Sequence, residues 1–558
     1  MKLIIYFTIL LSFSLNLIQG QETSFAAYIP EQSGETVNIY TDRNLYCTNE
    51  LIYFGVDYHK IADLQNLDWS NVLYVELIRW NGEKVSKTKV SLTKKGASGA
   101  IEIPGNVLSG NYYLRAYTKW MRNYSNTQYA YTLVKIINPY RSAIDPGPAE
   151  FDDIDSVNYI VSDDNFLCQT DKPLYHPRDT ISVSITSKNQ LITGDYYISV
   201  IKKGAVSNEF YNVDIPKNNT GKEKILTYLP DIRGISLSGK IIEKDSMQPM
   251  EEITILTSTP IEAKYLSTSI SDENGMFSFT IPNTYRGSKD FFITTNIIEA
   301  VNYELLIDND FCSKAITLPY IPFKMSEEEK TLAKEMVVNM QLSQAYLVND
   351  TLSFDNNQVK FYGKPFKVYA TQKYIDLPTV EEFINELIME FTINTHKKQK
   401  SLKSTALTSM RYLDPLVLVD NIPVDNDEKV LQLPLKKVER IEISDKLYVI
   451  ANKNYNGIIN IISKNNDFAG YEIKPNSMFF TYQLISDIPD MPEFNQTGSR
   501  IPFRKNTLYW NPDFTIKKGE NINFHFIASD SKGEYEILIK SKSGDKKDIY
   551  SKYKFKIE

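Results

Sequence analysis

Residues able to carry acid–base, nucleophilic or metal chemistry are scattered in this sequence. The four histidines are His59, His176, His396 and His525, and none lies three or four residues from another. The sequence has no His-Glu-x-x-His zinc motif, no Gly-x-Ser-x-Gly nucleophile elbow, and no Walker or Gly-x-Gly-x-x-Gly phosphate loop. We therefore predict a non-enzymatic protein with no cofactor, no metal ion and no small-molecule ligand.

The cysteines and the paired carboxylates do not supply a reactive site either. The paired carboxylates lie in polar stretches that are typical of a solvated interdomain linker, at Asp152-Asp153 and Asp163-Asp164. The cysteines are far apart and their spacing fits no metal motif: Cys47, Cys168 and Cys312. Buried free thiols are one interpretation, and a single internal disulfide of undetermined pairing is the other.

The overall composition indicates a multidomain globular protein. Of the 558 residues, 42% are hydrophobic and 12% are aromatic, which is enough for several buried cores. The formal net charge is -7, and the only concentrated basic run is Lys397-Lys398-Gln399-Lys400. This balance predicts no nucleic-acid partner.

The first 20 residues have the pattern of a secretory signal peptide. Lys2 precedes an apolar run from Leu3 to Ile18, which Gln19 and Gly20 follow. A retained membrane anchor is the alternative, although the run is shorter than the roughly 20 residues of a typical span. We expect residues 1–20 to be cleaved and the protein to be exported with no direct membrane span.

The most distinctive part of the sequence is a group of three strand-like runs. The first run breaks at an Asp-Asn turn, and the second alternates apolar and charged residues: the runs are Pro415 to Val424, Val438 to Ile443, and Asn456 to Lys464. The order and residue pattern of these runs resemble the plug domain of TonB-dependent outer-membrane receptors over about residues 357–466. We assign residues 357–475 to a small α+β plug-like domain, with a helix expected from Thr379 to Glu390.

This resemblance implies a partner, because a plug normally lies inside its own barrel. The residues after Lys464 are too few for a receptor barrel of about 22 strands at about 9–11 residues each. We therefore expect the plug-like domain to contact a separate outer-membrane β-barrel protein. Its turns contain the partner-binding candidates Asn421, Asp425, Asn426 and Asp427.

A repeat indicates two further domains of one type. Thr41-Asp42-Arg43-Asn44-Leu45-Tyr46 is echoed by Thr170-Asp171-Lys172-Pro173-Leu174-Tyr175, and each copy precedes an apolar strand. Together with the later strand at Gly110-Asn111-Tyr112, this repeated motif resembles the macroglobulin-like β-sandwich. We assign two such domains, to residues 21–145 and 146–232. The thioester motif of full macroglobulins is absent, so covalent trapping of proteases is not expected.

Three segments complete the predicted organisation. Residues 233–322 resemble the carboxypeptidase regulatory-like β-domain, and their Asp272-Glu273-Asn274-Gly275 run predicts a hairpin turn instead of a calcium loop. Residues 323–356 form a helical connector that begins with a capping box at Ser326 and buries Leu332, Met336 and Met340. Residues 476–558 form a C-terminal β-domain. The predicted fold class is thus mainly β: a string of β-sandwich domains, then the small α+β plug-like domain and the C-terminal β-domain.

Two functions are compatible with this organisation. The arrangement resembles proteins of the Bacteroidota that accompany outer-membrane export and uptake machines. It implies a non-enzymatic periplasmic accessory subunit, associated with the outer membrane, that plugs or gates a β-barrel channel such as the type IX secretion translocon. The alternative is a secreted or surface adhesin or scaffold built from stacked β-domains. The sequence does not identify the barrel of the first interpretation.

Overall fold

The computed structural model is mainly β and describes most of the chain. The described residues are 34–60, 69–151, 157–158, 166–188, 194–206, 209–210, 227–296, 302–346, 360–396, 399–405, 408–410, 412–450, 453–487, 501–517, 520–541 and 550–558. The predicted signal peptide at residues 1–20 lies outside them. No helix in these ranges is long and apolar enough to cross a membrane.

The strands and helices have the following bounds in chain order. The first group of strands is β1 (Glu35–Thr41), β2 (Leu45–Cys47), β3 (Leu51–Lys60), β4 (Val72–Ile78), β5 (Lys84–Ser91), β6 (Ala97–Glu102), β7 (Gly110–Thr118), β8 (Ala130–Ile137), β9 (Val157–Asn158), β10 (Phe166–Thr170), β11 (Leu174–Tyr175), β12 (Thr180–Ser187), β13 (Gly194–Lys202) and β14 (Glu209–Phe210). The second group is β15 (Ile235–Glu243), β16 (Thr254–Ser258), β17 (Leu266–Ile270), β18 (Met276–Ile281), β19 (Ser288–Thr295), β20 (Tyr303–Ile307), β21 (Lys367–Ala370), β22 (Phe391–His396), β23 (Gln399–Ser404), β24 (Leu416–Val419), β25 (Ile422–Pro423), β26 (Val438–Ile450), β27 (Lys453–Ser463), β28 (Met478–Gln483), β29 (Thr507–Ile516), β30 (Asn521–Ile527), β31 (Gly533–Ser541) and β32 (Tyr550–Ile557). The α-helices are α1 (Glu327–Ala345), α2 (Val380–Leu387) and α3 (Asp427–Leu431).

Residues 34–137 form the first sandwich. One sheet has the strand order β1-β3-β6, and the other has the order β2-β8-β7-β4-β5. Tyr46 is fully buried, and its hydroxyl donates to Asp42 Oδ1 at 2.7 Å. The first copy of the repeated Thr-Asp-x-x-Leu-Tyr run therefore forms a turn between β1 and β2, and a hydrogen bond between its own tyrosine and aspartate closes this turn.

A second sandwich has the same strand order, but its strands come from two segments that are far apart in the sequence. Its sheets are β10-β12-β30 and β11-β32-β31-β13-β29. Tyr175 donates to Asp171 Oδ1 at 2.7 Å, as Tyr46 does to Asp42 in the first sandwich. The prediction placed residues 146–232 and 476–558 in separate domains. The structure instead pairs their strands, because β12 pairs with β30 and β13 pairs with both β29 and β31.

The two sandwiches match further in a tyrosine at the start of one strand. Tyr112 in β7 and Tyr535 in β31 each follow a Gly-x pair and are fully buried. Each hydroxyl donates to the carbonyl oxygen four residues upstream, at 2.8 Å for Tyr112 and 2.6 Å for Tyr535. The chain between β13 and β29 is therefore an insertion into a sandwich whose strands otherwise follow the order of the first.

The inserted segment contains what we call the middle β-domain, formed by β15 to β20 and β28. Its sheets are β18-β15-β20 and β17-β16-β19-β28. The boundary predicted at residue 476 is corrected here, since β28 pairs with β19 from Ser288↔Gln483 to Ile293↔Met478. Asp272 Oδ1 accepts from the backbone of Asn274 and Met276, so this carboxylate stabilises the predicted hairpin turn.

Buried polar groups join the middle β-domain to the first sandwich. Lys89 Nζ donates to Asp310 Oδ2 at 2.6 Å and to the carbonyl oxygen of Gln483 at 2.7 Å. Tyr74 donates to Asp231 Oδ2 at 2.8 Å. These buried contacts join the two units directly.

The inserted segment also contains the strand-turn module, which is residues 360–471. Its sheet has the order β21-β26-β27-β24-β25, and β22 and β23 form a separate hairpin. β24 is parallel to β27, while β26 and β27 are antiparallel neighbours. Thr379 caps α2, whose buried residues are Val380, Phe383 and Ile384. This helix is shorter than the predicted Thr379 to Glu390, because Ile388 already has extended backbone.

Helix α1 lies between the two sandwiches. Ser326 accepts from the Glu329 backbone and Glu329 reaches back to the Ser326 backbone, which confirms the capping box. Its buried residues Leu332 and Met336 pack with Leu45 of the first sandwich and Leu538 of the second. The methionine-containing face therefore covers an internal joint.

Candidate partner-binding surface

The Asp420-Asn421 turn joins β24 to β25. Both residues have left-handed backbone, with φ of 46° for Asp420 and 66° for Asn421. Two positive φ values are typical of the type I′ hairpin turn, where Asn and Asp are tolerated. The Asp420 carboxylate accepts from Ser463 N at 2.7 Å and from Phe468 N at 2.8 Å. This turn is therefore fastened to the end of β27.

Asn421, a predicted partner-binding residue, contacts another part of the same chain. Its Nδ2 donates to the carbonyl oxygen of Pro260 in the middle β-domain at 2.8 Å. Its Oδ1 accepts from Asn460 Nδ2 at 2.8 Å. The amide of Asn421 therefore links the module to the middle β-domain.

The other three predicted residues lie together at the start of α3. Asn426 Oδ1 accepts from Lys429 N at 3.0 Å, so Asn426 caps the helix. Asp427 Oδ2 accepts from the backbone N–H of Leu402 at 2.7 Å, and burial raises the pKa of Asp427. Asp425 is more exposed and forms an ion pair with Lys474.

Asp425, Asn426 and Asp427 line a cleft between the module and the middle β-domain. The cleft has a volume of about 590 Å³. Both cationic and anionic side chains line the cleft, and two of the lysines are paired: Lys400 with Glu381, and Lys474 with Asp425. The sequence thus identified residues that do come together, but their charges are largely compensated within the chain.

Both faces of the module's five-stranded sheet are covered along its central strands. One face, which we call the helix-side face, packs against α2 and α3. The other face packs against Tyr362 and against Leu266 of the middle β-domain. The helix-side face includes Val417, Val419, Ile441, Ile443, Ile459 and Ile461, and the opposite face includes Leu416, Leu418 and Ile458. Where both faces are covered, the edges of a sheet are the places at which another chain can pair with it.

One of these edges is open. β21 pairs antiparallel with β26 from Lys367↔Ile443 to Ala370↔Arg440, and no other strand in the described part of the chain pairs with it. The side chain of Phe366 is 60% exposed and that of Val368 is 50% exposed. The open edge therefore has apolar side chains beside it that the described residues leave exposed.

Beyond β21, the end of β26 forms the edge on the same side of the sheet. Among the described residues, those from Leu447 to Ile450 pair only with β27, through Leu447↔Asn456 to Ile450↔Lys453. Leu447 and Val449 are exposed. The sequence analysis did not predict the β21 edge, although apolar and polar residues alternate from Phe366 to Val368, as they do in strands.

Groups with reactive chemistry remain separate in the described ranges. All three cysteines are free, and burial raises the pKa of the Cys168 thiol to about 12. A thiol with a raised pKa is mostly protonated near neutrality and is a poor nucleophile. Within the described residues, no group of three His, Cys, Asp or Glu side chains could hold a metal ion.

Comparisons with known proteins give remote similarities only. No protein-family model matches the chain, and no curated protein matches it. Among solved structures, it is similar to the alpha-2-macroglobulin of Salmonella reacted with methylamine, at 8% identity and a TM-score of 0.22, over 94% of this chain and 39% of that one. The native alpha-2-macroglobulin of E. coli is similar at 8% identity and a TM-score of 0.22, over 95% of this chain and 40% of that one.

A CARDB domain from Pyrococcus furiosus matches a smaller part. It is 20% identical with a TM-score of 0.14, over 18% of this chain and 92% of that domain. The chain spans about two fifths of the length of the macroglobulins that it matches. At these scores the similarities carry no argument about family, ligand or partner.

Proposed function

We propose that this chain is a non-enzymatic accessory subunit that docks on another protein through the strand-turn module. The single observation that carries this proposal is the open β21 edge with its exposed Phe366 and Val368. An open strand edge has unpaired backbone N–H and C=O groups, and another chain can satisfy them by adding a strand.

The contacts of the module support a role in docking. Asn421 bonds to Pro260, and Phe361 N donates to the carbonyl oxygen of Ala263 at 2.7 Å. Just after the module, Lys474 Nζ donates to the carbonyl oxygen of Thr295 at 3.2 Å. These contacts hold the module against the middle β-domain, so its open edge is presented by a preorganised surface, which lowers the entropic cost of binding.

For the partner, we propose a separate outer-membrane β-barrel, with the chain on the periplasmic side after signal cleavage. Closing a channel such as the type IX translocon is the finer form of this proposal. Support comes from the sequence resemblance of residues 357–466 to a receptor plug. The surface adhesin or scaffold is the alternative outcome.

The test is a pull-down of the tagged mature chain from outer membranes in mild detergent, with partners identified by mass spectrometry. The matched control replaces residues 360–471 by a Gly-Ser linker, and a melting curve checks that the remaining domains fold. We expect a β-barrel protein with the full chain and none with the control. Recovery of the chain alone, with protease access on intact cells, would overturn the proposal in favour of the adhesin.

A further inference from the structure

We propose that the β21 edge binds an extended partner segment whose alternating apolar residues are flanked by acidic residues. This inference deepens the proposed docking function and rests on it. It assigns the docking site to residues 364–373, and it specifies the chemistry of the segment that occupies the site. Three features define the site: the unpaired backbone of β21, the exposed side chains of Phe366 and Val368, and a lysine at either end.

The apolar part of the site distinguishes β21 from the other sheet edges. Phe366 immediately precedes β21 and Val368 lies within it, and both side chains are exposed. Leu447 and Val449 at the unpaired end of β26, in the same sheet, are exposed as well. The outermost strands of the other sheets whose side chains are described expose at most one large apolar residue each, such as Leu167 in β10, Ile270 in β17 or Phe479 in β28. A partner strand with apolar residues at alternate positions would cover both side chains at once.

The charged part of the site indicates acidic flanks. Lys364 and Lys373 are exposed on either side of β21, and neither forms an ion pair with the described residues. Lys367 lies within the strand, but its ammonium is paired with Glu390 at 3.0 Å. The uncompensated positive charge therefore lies at the two ends of the edge, where acidic residues of a docked strand would meet it.

The same charges argue against a second copy of this chain as the occupant. Two copies paired antiparallel through β21 would bring the end of the strand near Lys364 of each copy towards the end near Lys373 of the other. Like charges in such positions are destabilising, and the repulsion would occur at both ends. A segment with acidic ends removes this repulsion and replaces it with attraction.

The experiment measures binding of a fluorescent peptide, Glu-Asp-Val-Thr-Val-Thr-Phe-Asp-Glu, to the full mature chain by anisotropy. A peptide with the same centre and lysine flanks is the charge control. We expect the acidic peptide to bind at least about tenfold more tightly than the lysine-flanked peptide. Val368→Lys should weaken binding by at least about tenfold, whereas Val338→Lys, at an exposed valine of α1, should leave it unchanged.

A charge reversal provides the second variant. Lys364→Glu combined with Lys373→Glu should lose the acidic peptide and gain the lysine-flanked one, a result that general unfolding cannot produce. Equal binding of both peptides, no binding of either, or a stable dimer of the unmodified chain would overturn the inference.

The pull-down separates this inference from the proposed function. If the unmodified chain recovers a barrel and Val368→Lys recovers it equally well, the docking function stands and the β21 site is overturned. If the peptide binds as expected but no barrel is recovered, the site stands and the proposed partner is overturned.

Discussion

Arg178 and Asp530 are 352 positions apart in the sequence, yet they form a bidentate ion pair. Arg178 Nε donates to Asp530 Oδ1 and Nη2 donates to Oδ2, both at 2.9 Å. Arg178 precedes β12 and Asp530 precedes β31, so the pair joins the two segments of the second sandwich. Asp530 also accepts from Phe503 N at 2.7 Å, close to the point where the chain returns from the insertion.

We expect Asp530→Asn to destabilise the second sandwich in a pH-dependent way. The hydrogen bonds from Arg178 hold the pKa of Asp530 below its ordinary value. A carboxyl with a depressed folded-state pKa stabilises the fold above its unfolded pKa of about 3.9 and loses this effect as the pH falls through the folded pKa. The variant should lose about 1 kcal/mol of unfolding free energy at pH 7, and the difference should shrink below about pH 4.

Urea unfolding of both proteins at pH 7 and pH 3 measures this difference. Glu534→Gln is the control, because the ion pair of Glu534 with Lys203 is exposed and should contribute little. A difference that stays constant down to pH 3 would contradict the ionic origin of the effect.

Removing the insertion should leave the second sandwich able to fold. Ile201 near the end of β13 pairs with Thr507 at the start of β29, so a short linker can replace residues 207–500. We expect residues 166–558 with this replacement to unfold cooperatively. Their melting temperature should be reduced, because α1 no longer covers Ile201 and Leu538.

Circular dichroism and calorimetry of the shortened chain test this expectation. Adding Ile198→Asp should abolish folding, since Ile198 is fully buried in the sandwich core. If the shortened chain lacks a cooperative transition, the second sandwich depends on its insertion.

Val417→Asp should unfold the strand-turn module. Val417 is 4% exposed and lies mid-strand in the helix-side core, so a carboxylate there would be buried without a partner. The expected loss is more than about 3 kcal/mol of unfolding free energy. Val449→Asp is the matched control, because Val449 is exposed. Limited proteolysis and thermal melting give the result, and normal melting of Val417→Asp would contradict the core assignment.

Asn421→Gly should loosen the contact between the module and the middle β-domain while keeping the turn. Glycine tolerates the φ of 66°, but it loses the bonds to Pro260 and Asn460. We expect a loss of about 1 kcal/mol for each bond and faster hydrogen exchange near Pro260. Asn421→Val should cost more, because a β-branched residue is strained at positive φ. Equal exchange in the glycine variant would show that Asn421 is not a link.

Local patterns predicted much of the module correctly. The predicted runs from Pro415, Val438 and Asn456 contain strands, and the Asp420-Asn421 turn lies between β24 and β25. The structure extends the second strand from the predicted Ile443 to Ile450 and starts the third at Lys453. Helix α1 begins at the predicted cap, and Leu332, Met336 and Met340 are buried. These features follow from hydrophobic periodicity and capping, which depend on neighbouring residues alone.

The site was harder to predict because exposure is not a local property. Asn421 and Asp427 are polar turn residues, which suggests exposure, but Pro260 and Leu402 from other segments engage them. Phe366 and Val368 are apolar, which suggests burial, but Phe366 is 60% exposed and Val368 is 50% exposed at the edge of the sheet.

The sequence by itself determined the mainly β character of this protein, its strands, its caps and the repeated Asp-Tyr turn, because short-range sterics and hydrogen bonds specify each of them. Only the tertiary structure decided that β13 pairs with β29 across the insertion and that β28 completes the middle β-domain. Loop-closure entropy grows slowly with loop length, so a strand can find its partner several hundred residues away with little additional cost. The choice of partner therefore depends on how all the apolar faces pack together, and no local pattern encodes it.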